Sequence, residues 1–211
     1  DLSGLSTRSN LESSFTPFLL NFQQWLINRN VGIYVVGGFI RDLYLARGPK
    51  DLDLLVDGDV EHLGHDIARI FGGAFIKPGN RHSVVKVVFE KHGLSLDLTP
   101  LKTTLQENLM ARDFTIDALA VPIRDLTRGD WKSIVIDFTG GVQDLSRKLI
   151  KATGERVIAS DPLRMLRAVR LAKELGFTLE TTTESYIKKY SSCIDLVATE
   201  RIRDEFLAIL S

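Results

Sequence analysis

The sequence predicts an α+β protein in which a small mixed sheet with helices is followed by an all-helical second part. Two observations carry this prediction. Short β-rich runs alternate with helical segments up to about residue 139, and the spacing of apolar residues is helical from Val142 onward. We therefore expect one domain over residues 1–139 and a second over residues 140–211. The chain of 211 residues is 44% hydrophobic with a formal net charge of zero, which is typical of a globular protein.

The elements of the first part follow from apolar spacing and from turn residues. Helical spacing predicts helices over Phe15–Asn28, Gly38–Ala46, Asp59–Phe71 and Phe114–Ala120. β-rich runs predict strands over Gly32–Val36, Leu52–Val56, Ala74–Ile76, Ser83–Phe89, Leu94–Leu98 and Ile134–Phe138. Gly72 and Gly73 are typical of a helix C-terminal cap, and His92-Gly93 is typical of a turn between two strands.

Cysteine, histidine and apolar content exclude several classes of protein. The single cysteine, Cys193, excludes an intrachain disulfide and a multi-cysteine zinc site, and it fits a reducing cytosol, so we expect a cytoplasmic protein. The spacing of the four histidines does not match a zinc site, so we expect structural or surface roles for them and no bound zinc. They are His62, His65, His82 and His92. The apolar runs are too short to span a bilayer, and no signal peptide pattern opens the chain. Residues 1–7 lack an initiator methionine, so we expect the chain to be cut from something longer.

The most informative feature is a double glycine followed by two aspartates. An apolar run leads into Gly37 and Gly38, a helical segment with Arg41 in its first turn follows, and the next apolar run begins with Asp51 and Asp53. Because residues i and i+2 of a strand point to one face, these carboxylates project together and repel each other without a cation between them. Oxygen ligands suit Mg²⁺, and a double glycine lets backbone N–H groups approach a phosphate. The segment predicts a site for a nucleoside triphosphate and its metal.

A third acidic candidate is Asp97, on the polar face of the predicted strand Leu94–Leu98. If this strand neighbours the one that carries Asp51 and Asp53, Asp97 completes a carboxylate cluster. It would then bind metal or help to deprotonate an attacking hydroxyl group. The alternative is a polar strand face in contact with solvent.

The double glycine and the Asp-x-Asp pair resemble the first motif of the class II tRNA nucleotidyltransferases and bacterial poly(A) polymerases, which belong to the DNA polymerase β superfamily. Further segments resemble later motifs of this family in the same order. The resemblance implies a nucleotidyltransferase head over residues 1–139 and a helical neck over residues 140–211, with the C-terminal RNA-binding parts of the family absent. It also implies Mg²⁺, CTP or ATP, and the 3′ end of tRNA as cofactor, substrates and partner.

The second motif begins at Arg112 and resembles the family's Arg-Arg-Asp-Phe-Thr-Ile-Asn-Ala-Leu. Arg112 should pair with triphosphate oxygens because its planar guanidinium matches phosphate in two-point contact. Asp113 suits a ribose hydroxyl, with a helix cap as the alternative. Ala111 stands in place of the first arginine of the motif, and Asp117 in place of its asparagine. Asp117 remains a candidate nucleotide contact that would need a metal or an arginine nearby.

Two further segments resemble family elements that support the site. The segment from Asp137 to Leu145 resembles the element that joins head to neck, although an ordinary loop and helix cap suffice to explain it. Glu200 and Arg201 resemble the start of a helix near the nucleotide pocket. They either support that pocket or lie on a solvated helix face.

A polar stripe marks the helix predicted after Ser160. Asp161, Arg164, Arg167 and Arg170 recur every three residues, Pro162 lies in the first turn, and the remaining positions are mostly apolar. Arginines on a largely buried helix need anionic partners or the edges of bases. All four polar residues are therefore candidate nucleotide contacts, with internal salt bridges as the alternative.

Base chemistry gives the stripe a specific prediction. Cytosine and adenine both present an amine donor beside a ring-nitrogen acceptor, whereas uracil and guanine present the reverse order. The carboxylate of Asp161 and the guanidinium of Arg164 would accept the first pair of bases and reject the second without any template. The family's Glu-Asp-x-x-Arg motif implies the same role, with Ser160 at the position of its glutamate.

The sequence thus predicts a template-independent enzyme that adds C, A or both from CTP and ATP to the 3′ end of tRNA. The nearest alternative is a bacterial poly(A) polymerase, and a non-catalytic nucleotide-binding or RNA-binding module is a third. The product remains open among CCA, CC, A alone and poly(A).

Overall fold

The computed structural model of the protein describes residues 15–29, 31–48, 51–77 and 84–210. The described chain divides into two compact units. The first holds the described residues up to Leu105 together with Leu119–Ile136, and the second holds Gln106–Ala118 together with the described residues from Asp137 onward. The division into residues 1–139 and 140–211 stays a prediction. The opening residues 1–7, His82 and the predicted strand start at Ser83 lie outside the described residues.

Helices and strands of the first unit agree closely with the sequence predictions up to residue 100. The helices are α1 (Phe15–Leu26), α2 (Gly38–Tyr44) and α3 (Val60–Phe71). The strands are β1 (Gly32–Val36), β2 (Asp51–Asp57), β3 (Ala74–Ile76), β4 (Val85–Phe89), β5 (Leu94–Pro100) and β6 (Leu119–Pro122), and β7 (Ile136–Asp137) leads out of the unit.

The sheet is mixed, as predicted. Its strand order is β3-β4-β5-β2-β1-β6-β7. Strand β2 runs parallel to β5, whereas β1 pairs antiparallel with both β2 and β6, and β4 pairs antiparallel with β3 and β5. The parallel β2–β5 pair at the centre brings together the two strands that carry the predicted catalytic aspartates.

Aromatic side chains pack α1 and α3 onto this sheet. Phe18 of α1 lies 5.5 Å from Phe71 of α3 and 4.8 Å from Phe89 of β4, measured between ring centroids. Trp25 packs edge-on against Phe71 at 5.8 Å. Ring pairs at these distances add about 0.5–1.5 kcal/mol to the energy of burial. The cluster fixes one side of the sheet that carries the aspartates.

Local signals at the ends of α3 are confirmed. The side chain of Asp59 accepts hydrogen bonds from the backbone N–H groups of Glu61 and His62. Gly72 closes the helix with a φ of 73°, a conformation that glycine adopts without steric cost.

The predicted helix over Phe114–Ala120 is wrong. The chain forms a single 3₁₀ turn over Thr115–Asp117 and then enters β6. Strand β6 pairs antiparallel with β1, with Val121 opposite Val35. A short apolar run does not distinguish helix from buried strand by periodicity, and the partner strand is more than 80 residues away in sequence.

The second unit is mainly helical. Beginning at the unit border, its helices are α4 (Leu105–Met110), α5 (Gly141–Arg147), α6 (Glu155–Ser160), α7 (Leu163–Leu175), α8 (Thr181–Tyr190) and α9 (Thr199–Leu210). The expectation of an all-helical second part needs one correction, because β8 (Leu149–Ile150) and β9 (Thr178–Leu179) form a small parallel sheet. Helix α4 had no counterpart in the sequence prediction.

A second correction concerns the start of the polar-stripe helix. The structure begins α7 at Leu163, so Pro162 precedes the helix instead of lying within its first turn. Asp161 lies at the C-terminal end of α6 in an extended conformation. None of the helices in the described part of the chain has the length and apolar content to cross a bilayer.

Candidate active site

The carboxylates of the first unit lie on neighbouring strands. Asp51 is exposed and Asp53 half-buried on β2, while Leu52 between them is completely buried. The two aspartates therefore share one face of the strand, as predicted. In the parallel register of β2 and β5, Asp53 lies opposite Asp97, which confirms that the strand of Asp97 neighbours theirs.

Two residues that the sequence analysis did not assign to the site contact these carboxylates. The buried hydroxyl group of Ser95 donates a hydrogen bond of 2.5 Å to Oδ1 of Asp51. Lys86 of β4 lies opposite Asp97, and its Nζ is 3.2 Å from Oδ2 of that residue. Ser95 precedes Asp97 by two residues, so strand alternation places both on one face of β5, whereas nothing local to Lys86 signals its partner.

The donor set fits a hard divalent cation. No group of three or more His, Cys, Asp or Glu side chains converges as a metal site within the described ranges. Mg²⁺ needs only one or two protein carboxylates when substrate phosphates and water complete its coordination. The pair formed by Asp51 and Asp53 meets this requirement, while Asp97 already has the ammonium group of Lys86 beside it.

The double glycine has two separate structural reasons. Gly37, at the start of α2, has φ 76° and ψ −147°, a backbone conformation that is essentially restricted to glycine. At Gly38, a Cβ atom would lie 3.1 Å from Nη2 of Arg41. The guanidinium of Arg41, which is 7% exposed, binds the carboxylate of Asp42 through Nε at 2.9 Å and Nη2 at 3.1 Å. Its contact with phosphate stays a prediction.

In the second unit, Asp113 lies between two arginines of α7. Its Oδ1 is 2.6 Å from Nε of Arg164, and its Oδ2 is 2.7 Å from Nη1 of Arg167. The side chain of Asp113 is 13% exposed. The alternative role as a helix cap is wrong, because Phe114 occupies the N-cap position of the 3₁₀ turn and no side chain caps it.

The guanidinium of Arg164 is held from several directions. Its Nη1 donates to the carbonyl of Val157 at 2.7 Å and to the hydroxyl oxygen of Ser160 at 2.9 Å. Nε forms an ion pair with Asp113, and Nη2 makes no hydrogen bond within the described part of the chain. Arg164 therefore presents one oriented amine group.

Asp161 is held beside it by a different set of partners. Its Oδ1 accepts from the backbone N–H of Leu163 at 3.2 Å, and its Oδ2 is 2.9 Å from Nη2 of Arg201 on α9. Burial opposes ionisation of Asp161, but the hydrogen bonds from Arg201 and Leu163 and the charges of Arg201 and Arg164 outweigh it, so the pKa of Asp161 is lowered. The carboxylate is thus an ionised acceptor at neutral pH. Arg201, left open between a supporting role and a solvated face, ion-pairs with Asp161.

The remaining arginines of the stripe have carboxylate partners. Arg170 binds Glu205 through Nε at 2.7 Å and Glu174 through Nη1 at 2.9 Å. Nε of Arg167 is 3.8 Å from Glu205, too far for a hydrogen bond. Each of the three arginines thus forms an internal salt bridge, as the alternative expected, and the roles of Arg164, Arg167 and Arg170 in nucleotide binding stay predictions.

The backbone of the second motif is bonded to later residues of the second unit, to which the motif itself belongs. The hydroxyl group of Thr153 donates to the carbonyl of Arg112, and its N–H donates to the carbonyl of Asp113 at 3.2 Å. The buried hydroxyl group of Thr115 donates to Oδ2 of Asp144 at 2.7 Å, a pair that the sequence analysis did not foresee. These bonds fix the segment that carries Arg112 and Asp113.

Two other predicted segments are placed as follows. Asp117 is half-buried at the end of the 3₁₀ turn. Asp137 accepts four backbone N–H groups at 2.8–3.0 Å, those of residues 139–142, and so caps α5. The segment after Asp137 therefore forms a loop and a helix cap, which is the alternative that the sequence analysis gave for it.

Comparison with known proteins identifies matching families. The chain matches the model of the poly A polymerase head domain over residues 33–151, and the model described as "Probable RNA and SrmB- binding site of polymerase A" over residues 176–211. A CC-adding tRNA nucleotidyltransferase of Geobacter sulfurreducens is 36% identical over 180 residues, covering 85% of this chain and 40% of that protein. A CCA-adding enzyme of Lactobacillus helveticus is 34% identical over 193 residues, covering 82% and 45% respectively.

Solved structures with the same fold include CCA-adding enzymes. A CCA-adding enzyme with ATP gives a TM-score of 0.84 at 28% identity, covering 100% of this chain and 50% of that one. A Thermotoga maritima CCA-adding enzyme complexed with tRNA_CCA gives a TM-score of 0.81 at 30% identity, covering 92% of this chain and 48% of that one. A CCA-adding enzyme with CTP gives a TM-score of 0.81 at 29% identity, and it covers the same shares of the two chains. The chain thus spans about half the length of the relatives it matches.

Proposed function

Because the chain belongs to the poly A polymerase head domain family, we propose that the protein is a template-independent nucleotidyltransferase that adds C, A or both from CTP and ATP to the 3′ end of tRNA. The observation that carries the proposal is the pair Asp51 and Asp53 on β2, with Asp97 in register on β5. The relatives named above are CC-adding and CCA-adding enzymes, and the similar structures are complexes with ATP, CTP and tRNA_CCA.

Asp51 and Asp53 would hold Mg²⁺ through oxygen ligands. When bound, the cation supplies positive charge to the attacking and leaving oxygens of phosphoryl transfer. The hydroxyl group of Ser95 restrains Asp51 by its hydrogen bond to Oδ1. Asp97 remains a candidate for accepting the proton of the RNA 3′-hydroxyl group, with Lys86 beside it to hold its carboxylate in place.

Selection of the base would rest on Asp161 and Arg164. The ionised carboxylate of Asp161 accepts from the exocyclic amine of cytosine or adenine, and Nη2 of Arg164 donates to the neighbouring ring nitrogen. Two findings support this assignment: the pKa of Asp161 is lowered, and Nη2 of Arg164 makes no hydrogen bond within the described residues. With uracil or guanine, the carboxylate of Asp161 would face a carbonyl oxygen and the guanidinium of Arg164 would face a ring N–H. Each group left unpaired in this way would cost roughly 1–3 kcal/mol.

Contacts with the rest of the nucleotide complete the proposal. The backbone at Gly37 and Gly38 would approach a phosphate, and the guanidinium groups of Arg41 and Arg112 would contact triphosphate oxygens. Asp113 and Asp117 are candidate contacts of the ribose and the phosphates, and Arg167 and Arg170 are further candidate nucleotide contacts. Positive side chains on a triphosphate with four negative charges lower the energy of the leaving pyrophosphate.

A bacterial poly(A) polymerase is the second candidate, because the matching head-domain model is named for that activity. It uses the same chemistry and differs in its open-ended product. A module that binds nucleotide without turnover is disfavoured by the presence of both Asp51 and Asp53 on the face where a metal is needed.

The test is incorporation of each labelled nucleoside triphosphate by the full-length protein. The acceptors are tRNA lacking CCA, tRNA ending in CC, and an unrelated RNA. We expect addition of C or A to tRNA in the presence of Mg²⁺, and no addition of U or G. Open-ended addition of A to the unrelated RNA would favour the second candidate.

A matched pair of variants separates catalysis from folding. Asp53→Asn should abolish incorporation, whereas Asp57→Asn, at the exposed end of the same strand, should leave it unchanged. Loss of incorporation in both variants, or in neither, would contradict the assignment of the metal site.

A further inference from the structure

The base-selecting arginine has one charged partner among the contacts that hold it. Nε of Arg164 lies 2.6 Å from Oδ1 of Asp113, whereas Nη1 contacts only the neutral oxygens of Val157 and Ser160. The side chains of Asp113 and Arg164 are 13% and 21% exposed. Ion pairs with this degree of burial and this distance are among the stronger polar contacts in proteins.

Because a guanidinium is rigid, these contacts also fix the direction in which the remaining N–H bonds of Arg164 point. The group is planar and its five N–H bonds have fixed angles. Once Nε is held by Asp113, and Nη1 by Val157 and Ser160, the two N–H bonds of Nη2 have only one direction left. Nη2 is the donor that the proposed function assigns to the ring nitrogen of cytosine or adenine.

Asp113 is itself fixed at three points. Its Oδ2 lies 2.7 Å from Nη1 of Arg167, and its backbone carbonyl accepts from the N–H of Thr153 at 3.2 Å. Its Oδ1 carries the contact with Arg164. Both carboxylate oxygens thus form ion pairs with arginines of α7, so the carboxylate has a defined position without any bound sugar.

Ser160 contacts the guanidinium of Arg164 but cannot supply a negative charge to it. Its hydroxyl oxygen lies 2.9 Å from Nη1 of Arg164, directly before Asp161, but it carries no charge. A carboxylate at this position would reach the same guanidinium. The chain instead supplies the charge from Asp113, in a segment that precedes Arg164 by about 50 residues.

From these contacts we propose that Asp113 is a positioning residue that fixes the orientation of Arg164 and thereby sets the preference for C and A over U and G. The inference rests on the proposed function, which assigns base selection to Arg164. It gives Asp113 a role in choosing the base, whereas the motif resemblance assigns it to the ribose.

The experiment compares base preference with sugar preference in Asp113→Asn. The full-length protein is assayed for incorporation of CTP, UTP and dCTP into tRNA lacking CCA. We expect the ratio of CTP to UTP use to fall at least about fivefold, because Arg164 loses its charged anchor, while the ratio of CTP to dCTP use stays at the wild-type value. Asp204→Asn removes an exposed ion pair with Arg203 and is the matched control.

A second substitution tests the anchor directly. Ser160→Glu in the Asp113→Asn background places a carboxylate beside Nη1 of Arg164, and we expect it to restore the ratio of CTP to UTP use. A purely structural role of Asp113 predicts a lower unfolding temperature with no such restoration. If Asp113→Asn does not fold, the double variant carries the test: a folded double variant with wild-type base preference supports the proposal, and an unfolded or unselective one overturns it.

The outcomes separate this inference from the proposed function. A lower ratio of CTP to dCTP use with unchanged base preference in Asp113→Asn would overturn the positioning role in favour of a ribose contact. Loss of base preference in Arg164→Ala but not in Asp113→Asn would also overturn it, and the proposed function would stand. A wild-type protein that uses UTP as well as CTP would overturn the proposed function itself.

Discussion

Replacing Arg164 with alanine removes one half of the proposed base selection. The substitution deletes the Nη2 donor that, in the proposed function, pairs with the ring nitrogen of cytosine and adenine and opposes the ring N–H of uracil and guanine. Each such mismatch is worth roughly 1–3 kcal/mol, so the preference for CTP over UTP should fall by roughly five- to a hundred-and-fifty-fold. Asp161 remains in place through Leu163 and Arg201 and retains part of the selection.

The same substitution has a calculable effect on stability. It removes the ion pair with Asp113 and the hydrogen bonds to Val157 and Ser160. Asp113 keeps its second arginine, Arg167, at 2.7 Å, so no carboxylate is left buried without a cation. The cost should therefore be about 1–3 kcal/mol, and each kcal/mol lowers the unfolding temperature by roughly 2–4 °C in a chain of this size. The variant should fold.

The assay measures steady-state incorporation of all four triphosphates after the unfolding temperature has been recorded. Arg203→Ala is the control, because this exposed arginine of α9 pairs only with the neighbouring Asp204 among the described residues. A lower unfolding temperature with an unchanged ratio of CTP to UTP use would show that Arg164 serves only as an internal salt bridge, and the base-selecting role would be refuted.

Three further predictions concern other parts of the site. Asp53→Asn should reduce Mg²⁺-dependent incorporation to background in a gel assay. The free energy of unfolding of this variant should stay within about 0.5 kcal/mol of the wild-type value because the residue is only half-buried. Gly37→Ala should destabilise the protein by about 1–3 kcal/mol in denaturant unfolding, since its φ of 76° with ψ −147° strains any side chain. The lowered pKa of Asp161 keeps its carboxylate ionised above the usual value of 3.8, so stability from its pair with Arg201 is present there and is lost as the pH falls through the lower folded value. The ratio of CTP to UTP use should accordingly be the same at about pH 5 and about pH 7.5, and a large change between them would contradict this assignment.

Features with local causes were predicted well from the sequence. Helix α3 begins at the N-cap Asp59 and ends at Gly72, and both residues act through contacts within a few positions of themselves. The face shared by Asp51 and Asp53 follows from strand alternation alone. The register that brings Asp97 opposite Asp53 was a condition of the prediction, and the structure satisfies it.

Features with distant partners were not predictable in the same way. The segment after Phe114 is a strand because β1 pairs with it, and its own composition does not distinguish strand from helix. The lysine beside Asp97 belongs to β4, and the acceptor of Thr115 is an aspartate 29 residues later. Such contacts depend on tertiary packing, which single-sequence patterns do not contain.

The polar stripe of α7 shows how a structure narrows a sequence hypothesis. Spacing alone gave Arg164, Arg167 and Arg170 equivalent positions, and the resemblance together with base chemistry singled out Arg164. Their partners differ: Arg170 is held by two glutamates, Arg167 lies against Asp113 and has a buried Nε without a hydrogen bond in the described chain, and Arg164 is held by Asp113, Val157 and Ser160. Arg164 thus combines contacts that hold its guanidinium with one donor group that makes no hydrogen bond in the described chain, which is the arrangement that the proposed base selection requires.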